Sequence, residues 1–337
     1  MQMVDNKIDF VICWVDGNDP AWLKEKAKYS PKLNEDVGVN RFRDWNNLQY
    51  WFRGVEKFTP WVNKVHFVTY GHLPKWLNKK NPKLHIVNHT DYIPEKYLPT
   101  FSSHPIELNF HRIKGLADKF VYFNDDMFIL RPIKQTDFFM DGLPTDFCIT
   151  STVSTSTKDD NMPMVKMNNL GVINSNFDKK QQMKRFFCKW ISPVYGLNAL
   201  RNLVFYGQHR FKGFANNHLP FSYLKVNYEE IWEKEVEVMD DTCSRKFRSK
   251  LDVNQWLIRY WQLAKGDFYP IGRNDKGKVF EVYGDVENNT KLYDIIEKQR
   301  FRMICINDND DIDFLSIQQR VNEAFQKILP EKSSFEI

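Results

Sequence analysis

A chain of 337 residues, 42% hydrophobic and 27% charged, is long enough to bury a substantial core and has the composition of an ordinary globular protein. Its formal charge of +5, from 48 Lys and Arg against 43 Asp and Glu, is too small a bias to argue for a nucleic-acid partner. It suits an anionic small substrate, or loose contact with an anionic membrane surface.

The segment Ile8–Val15 is almost continuously apolar and β-branched, as a strand buried on both faces should be. It stops at Asp16-Gly17-Asn18-Asp19-Pro20, where Asp19 is a good helix cap and Pro20 a good first helical residue, so a helix is expected over Ala21–Lys28. Asp44–Phe58 places Leu48, Trp51, Phe52, Val55 and Phe58 on one helical face. Val65–Tyr70 and Leu84–Asn88 read as short strands with a short helix after Pro74 between them. A helix over Ser103–Lys114 precedes a further buried strand, Phe120–Phe123, which ends in Asn124-Asp125-Asp126. Strands alternating with helices imply an α/β fold with a mainly parallel sheet flanked by helices. The polar run Thr150–Asn161 is the clearest compositional break, and reads as a surface loop. Beyond it, Gln181–Trp190 and Leu251–Ala264 read as helices, Gly266–Gly284 as irregular or β structure, and Met303–Ile306 as an apolar run ending in a polar loop. The last helix carries Ile317, Val321, Ala324, Phe325 and Ile328 at helical spacing, with Ser316 and Gln319 as a capping box. One domain over 1–337 is expected: an alternating strand–helix half at 1–149, a helical insertion at 150–300, and a closing strand and helix at 301–337.

Cys13, Cys148, Cys188, Cys243 and Cys305 are odd in number, widely spaced and without metal-ligand spacing, and so read as reduced, buried thiols. Met1–Asp9 has no apolar core of signal-peptide length, and no apolar run reaches about 18 residues. The expected location is cytoplasmic, or peripheral to the inner face of the plasma membrane.

Four constellations could carry chemistry. In open parallel sheets ligands bind where strands end and helix N-termini offer free N–H groups, which suits the loop from Trp14 and Val15 through Asp16, Gly17, Asn18 and Asp19. A plain strand–helix turn explains the same pattern, and there is neither a GxGxxG nor a P-loop lysine. Asp125 and Asp126 put two carboxylates at the end of an apolar strand, a costly placement unless a cation neutralises them. Such oxygen ligands suit Mg²⁺ or Mn²⁺ held together with substrate phosphates. His104, Glu107 and His111, with Arg112, share one expected helix and make a polar face where a core helix would be apolar. His218 sits in a loop and Arg248 just before a helix; the first offers acid–base chemistry and the second a fork matched to phosphate. The run Asn307–Asp313 fails the EF-hand template, because its sixth position from Asp308 is Asp313 rather than Gly.

In combination these pieces resemble the Stealth family of polysaccharide phosphotransferases. Ile8–Trp22, Arg41–Pro132, Gly207–Leu224 with Lys246–Asp252, and Phe301–Glu336 are similar to its conserved blocks, in order along the whole chain. The resemblance implies a glycosyltransferase-like α/β fold, a UDP-sugar donor, Mg²⁺ or Mn²⁺, a saccharide or polysaccharide acceptor, and transfer of sugar-1-phosphate. Carried over to this sequence, Trp14–Asp19 form the nucleotide loop, Asp125 and Asp126 the metal site, and His218, Arg248 and Asn307 surround the donor phosphates. Arg41, Glu107 and Asn124 join the donor-binding set, and His218 is the preferred acid–base with Asp16 or Asp126 as competitors. Two departures bear on the acceptor side: Tyr70-Gly71-His72 stands where the family often has Asn-Gly-Gln, and Phe221 where it often has a second His. The rival readings are a glycosyltransferase that releases UDP and a non-catalytic sugar-nucleotide scaffold.

Overall fold

The computed structural model describes residues 7–30, 43–155, 160–273 and 276–337. Its main sheet has five strands: β1 (Ile8–Cys13), β2 (Val65–Thr69), β3 (Leu84–Asn88), β4 (Lys119–Phe123) and β8 (Phe221–Leu224), in the order β3-β2-β1-β4-β8. The first four run parallel, with Phe10 level with Val65 on one side and Val121 on the other. β8 joins the edge antiparallel to β4, Tyr122 facing Phe221. A second sheet orders β10 (Gly277–Glu281), β11 (Met303–Asn307) and β5 (Met127–Ile129). A third, small sheet joins β6 (Phe139–Met140), β7 (Leu143–Asp146) and β9 (Tyr269–Pro270).

The architecture is therefore α/β with a mainly parallel central sheet flanked by helices. One apolar layer packs helices Leu48–Phe58 and Phe314–Ile328 against one face, around Phe10, Trp51, Phe123 and Phe325. The other packs Trp256–Lys265 and Lys225–Lys234 against the opposite face, around Phe120, Tyr223, Tyr228 and Trp261. Among the described residues no helix is long and apolar enough to cross a membrane.

Several expected elements end early, each for a local reason. The segment after Pro74 is a turn rather than a helix, because the C-terminal tail holds it: Asn78 N–H donates to Phe335 O at 2.7 Å and Ile337 N–H to Trp76 O at 2.9 Å. The Ser103 helix stops at Leu108, where the buried Asn109 turns its amide back onto Pro105 O (2.8 Å), and a 3₁₀ turn over Phe110–Arg112 follows. The helix Lys179–Arg185 breaks at Phe186, whose ring lies against Gly266, before Phe187–Trp190 resumes. Trp256 rather than Leu251 begins the next long helix, since Asp252 is held by Ser249, His104 and Arg245. Asp313 and not Ser316 precedes the last helix, so there is no capping box at 316–319. All five cysteines are free, but Cys188 is exposed: its short helix turns Trp190 inward and Phe187 and Cys188 outward.

Candidate active site

The end of β1 fixes the first wall of the site. Trp14 N–H donates to Val68 O at 3.0 Å, and the turn that follows closes with Asp19 N–H on Asp16 O at 3.2 Å. Asp16 Oδ1 accepts from Asn18 N–H (2.9 Å), and Asp19 Oδ1 accepts from Trp22 N–H (2.7 Å), capping helix Pro20–Tyr29. Gly17, Asn18 and Asp19 thus build the turn, while Trp14 and Val15 face a cleft. A residue that sequence reasoning had only noted as a departure holds this loop: Asp16 N–H donates to His72 Nε2 at 2.7 Å. A ring nitrogen that accepts from an N–H must be unprotonated, so His72 carries its proton on Nδ1. Burial lowers its pKa in the same sense, against the pull of Asp19 and Asp16.

The cleft encloses about 1080 Å³ with its open mouth included. Trp22, Phe101 and Phe247 form an aromatic wall, with Phe101 and Phe247 stacked at 5.4 Å between ring centres. Glu107, Asn124, Asp125 and Arg248 line the same cleft. Arg248 Nη2 donates to Ser103 Oγ at 2.9 Å. Its loop hangs on Asp252, whose carboxylate takes Ser249 N–H (2.8 Å), Arg245 Nη1 (3.0 Å) and His104 Nδ1 (2.8 Å). His104 is therefore buried as a support for the Arg248 loop, and His111 is buried against Tyr228 and Trp232 with its pKa pushed down to about 3 by burial. The polar face expected of that helix is internal; only Glu107 of the trio reaches the cleft, where Tyr122 donates to it at 3.2 Å.

A second cavity of about 930 Å³ shares Trp14, Val15 and Asp125 with the first. Asp44, Asp126 and Asp308 make it acidic, with Arg43 as the nearby cation, 3.2 Å from Asp308. Asp126 is the hub. Its Oδ2 lies 3.1 Å from His218 Nε2 and accepts from Cys305 Sγ at 3.3 Å. Cys305 in turn touches Asn307 Oδ1 at 3.3 Å, and Asn124 Nδ2 lies 3.3 Å from His218 Nε2. One donor atom each from Asp126, His218 and Cys305 fall within 4.8 Å of one another. The His218 loop is itself clamped by the buried Arg259, which grips Asp146 with Nε (2.8 Å) and Nη2 (2.9 Å). Its Nη1 donates to Ala215 O (3.0 Å) and Asn216 Oδ1 (2.6 Å).

The electrostatics single out the acidic pair. Asp125 opens to cleft water yet is ringed by protein, and that enclosure, followed by the charge of Asp126, pushes its carboxyl up to about 7. Burial would lower the pKa of His218, but the charge and hydrogen bond of Asp126 reverse this and raise it. Burial and then Asp126 raise the Cys305 thiol well above its ordinary value, so it is a neutral S–H donor. Asp126 Oδ1 is buried with no hydrogen-bond partner, an orphan that a cation would satisfy. A carboxylate oxygen left bare in this way is a donor that suits a hard divalent cation, and Asp125 lies next to it along the chain.

The structure thus brings Trp14, Val15, Glu107, Asn124, Asp125, Asp126, His218, Arg248 and Asn307 to one region built by strand ends. The Asp16 carboxylate turns onto its own loop, and Arg41 lies outside the described residues. Sequence reasoning missed Arg43, Asp44, Trp45, Asp308, Cys305 and the aromatic wall; the charged, aromatic triplet just before an amphipathic helix was the one local signal available.

A family profile described as Stealth protein CR1, conserved region 1, matches residues 6–34, and one described as Stealth protein CR2, conserved region 2, matches residues 41–146. A capsular polysaccharide phosphotransferase WcwK of Streptococcus pneumoniae is 41% identical over 334 residues, covering 98% of each chain. The receptor polysaccharide phosphotransferase WefC of Streptococcus gordonii is 41% identical over 340 residues, 98% of this chain and 99% of its own. Among solved structures, the galactosyltransferase LgtC in complex with donor and acceptor sugar analogs aligns over 97% of this chain and 98% of its own, at a TM-score of 0.38 and 12% identity.

Proposed function

The chain belongs to the Stealth family, whose relatives here are polysaccharide phosphotransferases, and on that premise we propose that it moves a hexose-1-phosphate from a UDP-sugar to a hydroxyl of an acceptor saccharide. The sugar is an N-acetylhexosamine in this reading, and the product is a phosphodiester, with UMP released, in capsule or surface polysaccharide synthesis. The reaction takes place in the cytoplasm. The observation that carries the reading is convergence: Asp126 and His218 meet at 3.1 Å from 92 residues apart, and Arg248 lines the same cleft as Asp125.

In this mechanism the aromatic wall of Trp22, Phe101 and Phe247 takes the base, a surface on which a flat ring can stack. Arg248 pairs with the diphosphate through its fork. Asp125 and Asp126 hold Mg²⁺ or Mn²⁺, which when bound supplies charge neutralisation for the transferring phosphoryl group. The acceptor saccharide enters from the acidic cavity beside Asp44 and Asp308. Its hydroxyl oxygen bonds to the β-phosphorus as the bond from that phosphorus to the UMP oxygen breaks, and the hydroxyl proton passes to His218. Asp126 orients the imidazole and raises its basicity, which favours His218 as base over Asp126 itself. Asp16 is disfavoured because its carboxylate already accepts from Asn18 N–H. Positioning and charge neutralisation supply most of what such a transfer requires.

Phosphorus NMR of the purified enzyme with UDP-hexosamines, Mg²⁺ and an oligosaccharide acceptor tests the reading. UMP and a new phosphodiester resonance are expected. UDP, or a product without phosphorus, would mean that the sugar C1–O bond is the one broken, and absence of turnover with every donor would point to a scaffold.

A further inference from the structure

Seven of the seventeen large apolar side chains exposed among the described residues fall within 187–206, far more than an even scatter would give. Their exposure is not a fraying effect. In helix Ala199–Val204 the residue that turns inward is the polar Asn202, whose amide donates to Cys148 O and Trp190 O at 2.6 Å and accepts from Thr150 N–H at 2.7 Å. Leu200, Leu203 and Val204, at helical spacing on the outer side, face solvent at 55%, 46% and 76% exposure. Leu197 before them is 84% exposed, and Val194 51%. The amphipathic pattern is inverted: a polar anchor fixes the element and its leucines point outward, so the surface is preformed.

Along the chain the charge of this segment is one-sided, with Asp178, the cap of helix Lys179–Arg185, as the acid just before it. From Lys179 to Lys212 the sequence holds eight Lys and Arg and no Asp or Glu, against +5 for the whole chain, so the rest of the molecule is net acidic. Lys179 and Lys189 bond inward, to Phe205 O and to Gly266 O, whereas Lys180, Lys184, Arg185, Arg201, Arg210 and Lys212 are exposed.

We propose that the Phe187–Tyr206 face with its basic fringe seats the protein on an anionic lipid bilayer, the apolar side chains entering the headgroup boundary and the cations resting on the lipid phosphates. Apolar area together with electrostatic attraction is what holds a peripheral protein to such a surface. A second copy of the chain is a poor occupant, because the same positive fringe would face itself.

Vesicle sedimentation with the full chain tests this without turnover, so it can fail or succeed independently of the transferase reading. Wild-type protein should partition onto vesicles of phosphatidylcholine with about one-third phosphatidylglycerol and not onto pure phosphatidylcholine, and each neutralisation, Lys184→Gln or Arg201→Gln, should weaken partitioning about fivefold. The triple variant Leu197→Ser, Leu200→Ser, Val204→Ser keeps every charge and changes only solvent-facing positions. It should lose most binding with an unchanged circular dichroism spectrum and unchanged activity on a water-soluble acceptor. Equal binding of this variant and wild type, binding to neutral vesicles as tight as to anionic ones, or no binding at low salt would overturn the proposal. So would a dimer in light scattering that the triple variant abolishes.

Discussion

Replacing Asp125 by Asn tests the acidic pair as a strained cation site. In the folded protein its carboxyl is held at about 7, against an ordinary value of 3.8, by enclosure and by the charge of Asp126. Between those values the folded state carries a proton that the unfolded state has released, so stability falls as pH rises through that window and stays reduced above about 7. Taken at face value the displacement corresponds to about 4 kcal/mol at pH 8. Asp125 is more than a third open to cleft water, however, and screening reduces this to about 1–2 kcal/mol. Asp125→Asn removes the charge, so without divalent cations it should raise unfolding free energy by that amount at pH 8, and by much less at pH 5. Urea unfolding followed by tryptophan fluorescence, with m-values compared to confirm an unchanged transition, measures both. Mg²⁺ should stabilise wild type at pH 8 and leave the variant unmoved, while the variant's transferase activity collapses. A variant no more stable than wild type at pH 8, or one with the same gain at both pH values, would show that Asp125 is not held under strain and would remove the basis for a cation there.

The other expectations are simpler. His218→Ala and Arg248→Ala should each cut kcat by roughly a hundredfold or more, with donor Kd by calorimetry rising more for Arg248→Ala; wild-type rates would strip both of their roles. His72→Gln, which keeps an acceptor for Asp16 N–H, should bind donor like wild type, while His72→Ala should weaken it, and equal Kd values would show the contact to be idle. Arg259→Met leaves the Asp146 carboxylate buried without its partner and should cost about 3–5 kcal/mol in chemical denaturation, a loss that a change below about 1 kcal/mol would contradict.

Much of the first half was legible because its signals are local. Ile8–Cys13 is apolar on both faces since helices cover both sides of a parallel sheet, and Asp19 caps its helix as its position before Pro20 implied. Elements failed where a distant group captured a side chain or a backbone amide. Phe186 and Asp252 break or delay a helix through contacts with Gly266 and His104, 80 and 148 positions away. β8 illustrates the limit best: Phe-Ser-Tyr-Leu has no strong strand signature, and it becomes one because β4 offers an open edge about 100 residues upstream.

The site divides along the same line. Asp125, Asp126, His218 and Arg248 could be nominated because their chemistry is unusual wherever they occur, and a carboxylate pair at an apolar strand end is costly without a counter-ion. Which atoms they meet is a property of topology. Cys305 looks like core in the run Met303–Ile306, and is core, yet its thiol reaches Asp126 because β11 pairs with β5 immediately after the acidic turn. The Asp126 carboxylate therefore has one oxygen committed to His218 and Cys305 and one left bare in the interior. A protein that needed the pair only for structure would satisfy both oxygens, as Asp9 does with His66, Asn63, Lys64 and Ala117 in the middle of the same sheet. The contrast between these two carboxylates, one fully satisfied and one with a bare oxygen, is the physical ground for proposing a cation at Asp126 and none at Asp9.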